Sequence, residues 1–158
     1  MSDDRGSAAV MAVVMLPLLI AIVSGVVQLG AVRVLAARIT SAADLATIAA
    51  VDDQDESELV RTGSLRLAPD AEAVARAYFA LNLAPVASFL DLPPDEIAAR
   101  AQVAAFTSAP AVDPLTGIRY ERPTVRVLAA VPVRTPVFGS LLLTPTFIVN
   151  VRAASSPR

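Results

Sequence analysis

Cysteine, histidine and lysine are absent from this chain of 158 residues. Without His or Cys there is no imidazole acid–base pair, thiol nucleophile or disulfide, and no zinc or haem ligation through either residue. Without Lys there is no P-loop lysine and no Schiff-base chemistry, and all 13 basic residues are Arg. Aromatic residues make up only 4% of the chain, too few for a surface that stacks bases or sugars. The formal net charge of -2 gives no electrostatic footprint for nucleic acid. The six glycines are scattered, so no Gly-rich loop cradles phosphate, and no Ser sits in a Gly-x-Ser-x-Gly elbow. What the chain has in excess is apolar residues, at 55% with a mean hydropathy of +0.61. Soluble domains run near 45–50% even with Gly counted.

Much of the excess sits in one place. From Ala8 to Val32 there is no charged residue. As a helix this stretch spans about 37 Å, against roughly 30 Å of bilayer hydrocarbon. The spacing therefore predicts a transmembrane helix over 8–32 behind a short flank at 1–7. A cleaved signal peptide has an apolar core of only ~7–15 residues, ending in small residues, whereas this run flows directly into another helical pattern. Pro17 lies inside the span, where lipid-embedded helices tolerate a kink. Gly25 and Gly30 permit close approach but do not form the small-xxx-small spacing. Gln28 is the strongly polar residue of the span. It either bonds to a partner helix or already lies near the interface. Arg5 precedes the span and Arg33 and Arg38 follow it, a difference too small to set orientation. The absence of thiols and the short leading flank favour export of the larger part.

The helical pattern does not stop at the membrane. Leu35, Ile39, Ala42, Ala46 and Ala49 recur at helical spacing, as do Leu45 and Ile48, and no Gly or Pro occurs from Ala31 to Gln54. One continuous helix from Ala8 to Val51 is expected, amphipathic over 33–51 and about 66 Å long in all. The acidic run Asp52–Glu56 should end it, because anions oppose the macrodipole at a C-terminus.

These residues carry a resemblance. Arg5-Gly6, an apolar helix with the early Pro17, the following Arg33 and Arg38, and the packing segment Ala42-Ala43-Asp44-Leu45-Ala46 resemble, in that order, the N-terminal region of the TadE/TadG-like proteins of tight-adherence (Flp) pilus assembly. The resemblance implies a single-pass anchor in the bacterial cytoplasmic membrane, N-terminus inside and C-terminal domain outside. The implied partners are other pilin-like or TadE/TadG-like proteins and the assembly platform. In prepilin-processed members a Glu stands five residues after the cut. Here the corresponding cut would be Gly6/Ser7 and the fifth residue is Met11. A thioether cannot neutralise a neighbouring amine, so the expectation is an uncleaved, TadG-like anchor. The Asp-x-Ser-x-Ser metal motif of longer members does not occur.

Residues 52–158 are expected to form a small exported α+β domain. Residues 52–68 read as a loop with a helical turn at Glu58–Arg61. Pro69-Asp70 opens a second helix with acids in its first turn. Val74, Tyr78 and Leu81 mark its apolar face, and it ends near Asn82. The Pro-broken stretch 84–94 reads as a packed turn. Over 99–107, alternation suggests a strand, while Pro94-Asp95-Glu96 equally suggests a short helix. Asp113-Pro114-Leu115-Thr116-Gly117 is a turn in which Pro presets φ and Gly accepts φ > 0, and it should join two antiparallel strands. The second is the clearest strand in the chain, with Val125, Val127, Ala129, Val131 and Val133 on one face and Thr124, Arg126, Leu128 and Arg134 on the other. Pro132 and Pro136 make its far end an edge. After an apolar connection at 137–143, the last strand runs about 146–154 with Phe147, Val149 and Val151 inward. The sum is a long N-terminal transmembrane and amphipathic helix, a second helix and an antiparallel sheet of about three strands, an α+β plan similar to that of pilins.

Chemistry is hard to find. The acids fall in caps, loops and turns, where carboxylates are solvated and not tuned for acid–base work. The 52–56 run lacks the Gly of an EF-hand. No cofactor, metal, small-molecule substrate or catalysis is expected. Arg119, Arg122, Arg126 and Arg134 mark a candidate basic stripe on an exposed sheet face, a possible partner surface. Two functional classes follow: a non-catalytic component of a pilus or secretion assembly, and a membrane-tethered extracytoplasmic binding domain unconnected with pili.

Overall fold

A computed structural model describes residues 4–52, 58, 60–61, 63, 66–134 and 146–157. Helix α1 (Asp4–Asp52) is a single helix of 49 residues that runs through Pro17. It is rich in Ala and Leu, good helix formers, and it ends where the acidic run begins. The acidic stretch at 53–57 and the apolar connection at 137–143 lie outside the described residues.

Helix α2 (Ala71–Leu83) starts behind Asp70 with Glu72 in its first turn. A 3₁₀ segment (Ala84–Phe89) follows, with Pro85 in its first turn, and Pro94 begins helix α3 (Pro94–Arg100). Strand β1 (Gln102–Phe106) follows almost at once. The two readings of the 94–107 region are therefore both realised, one after the other: Pro94 sets the helix, and the strand begins just past Arg100. Strands β2 (Ala111–Val112) and β3 (Arg119–Tyr120) form a small antiparallel ladder of their own. Strands β4 (Thr124–Val133) and β5 (Phe147–Ser155) complete a three-stranded antiparallel sheet in the order β1-β4-β5.

The Asp113–Gly117 turn joins β2 to β3, not β1 to β4 as the sequence alone suggested. Gly117 takes φ +69, and its N–H donates to the Asp113 carbonyl at 2.8 Å. The far end of β4 behaves as an edge on one side only. β1 covers Thr124–Leu128 on one side, and β5 pairs along Val125–Val133 on the other. On the uncovered side the 3₁₀ connection supplies the partners: Asp91 N–H donates to Pro132 O at 3.1 Å, and Arg134 N–H to Phe89 O at 2.8 Å. Pro132 thus sits where its missing N–H costs no rung to β5.

The core lies between this sheet and α1 and α2. Val125, Val127, Val131 and Val133 of β4 are fully buried, with Val151 and Ala153 of β5. They meet Ile39, Ala42, Ala43, Ala46 and Ala50 of α1. Thr47 Oγ1 and Ser155 Oγ are 2.8 Å apart and tie the helix to the end of β5. Arg76 donates to Ala101 O at 2.9 Å and Glu72 accepts from Ala105 N–H at 3.1 Å, which fixes α2 on β1.

The buried face of α2 is Ala71, Ala75, Phe79, Ala80 and Leu83. This corrects the sequence-based face: Val74 is half-buried, while Tyr78 and Leu81 are exposed. The cause is the neighbour. The α1 surface facing α2 is alanine-lined, so small residues are what let the two helices approach, and Phe79 fills the remaining space. Phe79→Ala is expected to destabilise the domain by about 3–5 kcal/mol, and Leu81→Ala by no more than about 0.5 kcal/mol. Thermal unfolding of the detergent-solubilised protein checks the order; equal losses would restore the sequence-based face.

Candidate membrane anchor and docking faces

The first half of α1 carries large apolar side chains in every direction. From Met11 to Leu29 they are 52–73% exposed, the lowest being Val23 and the highest Val13. A helix apolar all round belongs either in a protein core or in lipid. Only 6% of its apolar window is buried within the chain, so it is no core helix of this domain. It is long and apolar enough to cross a membrane. Gln28 is 7% exposed, shielded by the chain's own fold.

Beyond Arg33 the helix becomes two-faced. Ala42, Ala43 and Ala46 of the predicted packing segment are buried in the domain, whereas Asp44 and Leu45 face away. At 3.6 residues per turn Asp44 lies about 200° round the axis from Ala42, so one segment cannot pack as a whole against one surface. The outward face is not purely polar: Val34, Leu45 and Ile48 are 55%, 53% and 48% exposed.

The four candidate arginines do not form one stripe. Arg119 pairs with Glu121 at 2.7 Å and Arg134 with Asp91 at 2.7 Å, both at the surface. Arg122 is exposed and reaches Pro157 O at 3.4 Å. Arg126 is the correction. It is 2% exposed, and its Nη1 donates to both carboxylate oxygens of Asp113, at 3.0 and 2.8 Å. The alternation in β4 correctly put Arg126 opposite the valines. That face is covered at this end by the β2–β3 hairpin, whose Tyr120 ring meets Phe106 of β1 with centroids 5.1 Å apart.

Asp113, by its sequence a solvated turn acid, differs in the same way. It is fully buried, with Leu115 N–H and the Thr116 hydroxyl donating to its carboxylate. Burial pushes this carboxyl up, but the Thr116 and Leu115 hydrogen bonds and the Arg126 charge outweigh it and hold it below its ordinary 3.8. Asp91 is likewise lowered, by hydrogen bonds from Thr146 and Arg134. The signal for the buried pair was present but unpaired in the sequence: an Asp at the first position of a turn, and an Arg at a strand position flanked by buried valines.

Among the described residues, no group of three or more His, Cys, Asp or Glu is placed to hold a metal. Of the two pockets described, one is lined by anchor residues such as Met15 and Leu19, and the other lies between α1 and the 3₁₀ segment. Both are lined by apolar side chains apart from Arg38 in the second, and neither contains a carboxylate that could act as an acid or base.

Residues 6–53 match the Tad family model, described as "Putative Flp pilus-assembly TadE/G-like". The matched stretch is nearly coextensive with α1, so the resemblance lies in the anchor and its alanine-rich continuation, and the α+β domain lies outside it. No curated protein and no solved structure matches the chain. The match is to a family described for Flp pilus assembly, and the helix it covers is long and apolar enough to cross a membrane.

The buried pair generates a prediction. Asp113→Asn leaves Arg126 charged and dry, a change that costs about 3–5 kcal/mol. Replacing both residues by apolar ones of similar volume should cost far less. In the wild type the native carboxylate binds its proton more weakly than the unfolded chain does. Its stabilisation is therefore present above the ordinary carboxylate value and is lost as pH falls below 3.8 toward the lower native value. Unfolding midpoints as a function of pH measure this, and a flat acid limb in the wild type would contradict it.

Proposed function

We propose that the protein is a single-pass, TadE/TadG-like accessory component or minor pilin-like protein of a tight-adherence pilus or secretion assembly, acting by helix packing and domain docking without catalysis. Its N-terminus lies in the cytoplasm, α1 crosses the inner membrane over about 8–32, and the α+β domain lies outside. The observation that carries this reading is the outward face of α1. Leu45 and Ile48 keep that face apolar beyond the anchor, on the side the domain leaves bare. A helix that needed only lipid below and its own domain above would have no use for this strip. A neighbouring apolar helix would cover it, and pilin-like partners supply such helices. The match over residues 6–53 supports the same association.

The wild-type chain has no cysteine, so single-Cys labels are site-specific. Leu45→Cys or Ile48→Cys is expected to crosslink to an assembly component in native membranes, and Arg152→Cys, exposed on β5, is expected not to. Ile48→Glu should weaken co-purification with that component by about tenfold or more, equivalent to about 1.4 kcal/mol. Equal crosslinking from Arg152→Cys would overturn the assignment of the face.

The N-terminal residues before Ser7 are expected to remain, because Met11 occupies the place of the processing-associated acid. Intact-mass measurement of protein purified from membranes should find no species beginning at Ser7.

A further inference from the structure

A groove of about 270 Å³ lies between α1 and the 3₁₀ segment, lined by Ala31, Val34, Leu35, Arg38, Val86 and Phe89. Its floor is buried Leu35 and Val86; Val34 and Phe89 remain exposed on its walls. All its lining is apolar except the one guanidinium. Its level relative to a bilayer follows from the helix. The uncharged run ends at Val32, and Arg38 lies about 9 Å further along the axis at ~1.5 Å per residue. The headgroup layer on each side of the hydrocarbon is about 5–8 Å thick. Side chains on a helix lean toward its N-terminus, which here is the membrane side, so the Arg33 and Arg38 guanidinium groups are drawn back toward the bilayer. Both are exposed, and neither forms an ion pair among the described residues. The Asp91 carboxylate, two residues past Phe89, is held by Arg134 at 2.7 Å. Val86 and Phe89 share the groove with Ala31 and Arg38, so the 3₁₀ segment lies at the same height as these α1 turns.

We propose that this groove sits in the headgroup layer of the outer leaflet and holds an anionic phospholipid, with part of an acyl chain against Val34, Val86 and Phe89 and the phosphate against Arg38. The inference rests on the reading of α1 as a membrane anchor. The lipid is the occupant because the groove continues the apolar surface of the anchor without a break and ends in an uncommitted positive charge at phosphate height. A volume just under the ~300 Å³ of small-ligand pockets suits a portion of a lipid better than a whole free ligand. The domain is thereby seated on the membrane by its 3₁₀ edge, which fixes how it is presented to neighbours.

The protein has no Trp, so one introduced indole reports one place. Phe89→Trp, Leu19→Trp and Leu115→Trp are compared in the full chain, reconstituted in nanodiscs whose lipids are brominated either near the headgroup or near the chain end. Phe89→Trp is expected to lose about half its emission to the shallow bromines, as an interfacial aromatic should. Leu19→Trp should be quenched by the deep bromines, and Leu115→Trp, in the β2–β3 turn, by neither. Adding Arg38→Gln to Phe89→Trp should reduce shallow quenching in phosphatidylglycerol discs and leave it unchanged in phosphatidylcholine discs. Quenching at Leu19 without quenching at Phe89 would overturn the proposal while leaving the anchor intact. An effect of Arg38→Gln that is absent, or equal in the two lipids, would overturn the phosphate assignment and the proposal with it. No quenching at Leu19 would remove the anchor reading and, with it, this inference.

Discussion

One helix carries two different surfaces. Over its first half α1 exposes apolar side chains all round, and water around that surface would be unfavourable by roughly 25 cal/mol for every Å². Over its second half it must present alanines to a small domain and tolerate water on the other side. Because no break occurs between the halves, the two demands share one rigid rod about 73 Å long. Where the domain sits, which way it faces and what can reach its helix all follow from that continuity. The small side chains of Ala42, Ala43, Ala46 and Ala50 allow α1 to lie close to α2 and the sheet, and Ile39 and Phe79 fill what they leave open.

The domain is held at its other end by a different kind of contact. Asp113 and Arg126 are both removed from water, and each depends on the other to justify its charge. The pair fastens the β2–β3 hairpin over the second face of the sheet, a face that would otherwise be an exposed strip of β4. Apolar replacements of similar volume can match such a pair in net stability, whereas removing one partner leaves a buried charge uncompensated. At the surface Arg119 pairs with Glu121 and Arg134 with Asp91, while Arg33 and Arg38 on α1 are exposed and enter no ion pair among the described residues. The longest run of exposed apolar side chains lies along α1.

Much of this was legible in the residues. The uncharged run and the unbroken Ala-rich pattern gave the long helix, Pro94 and Asp113-Pro114 gave the start of α3 and the turn, and the alternating valines gave β4. Three features were not. The phase of α2 was misread because hydropathy ranks Leu81 above Ala75, while close approach to an alanine-lined helix selects the smaller residue. The turn was assigned to the wrong pair of strands because strands β2 and β3 have two residues each, too short for any period to register. The sequence puts Arg126 in solvent because its partner is 13 residues away, across a hairpin that no local pattern announces.

The central claim is that α1 is one helix immersed in lipid through its first half and packed on one side through its second. A series of single spin labels from position 13 to position 51, in bilayers, measures it residue by residue through collision rates with oxygen and with a water-soluble nickel complex. The account predicts high oxygen access without helical periodicity from Val13 to Leu29, then a rise in nickel access past Arg33 with a 3.6-residue period whose minima fall at Ile39, Ala42, Ala46 and Ala50. A helical period with aqueous maxima already present between Val13 and Leu29 would contradict it.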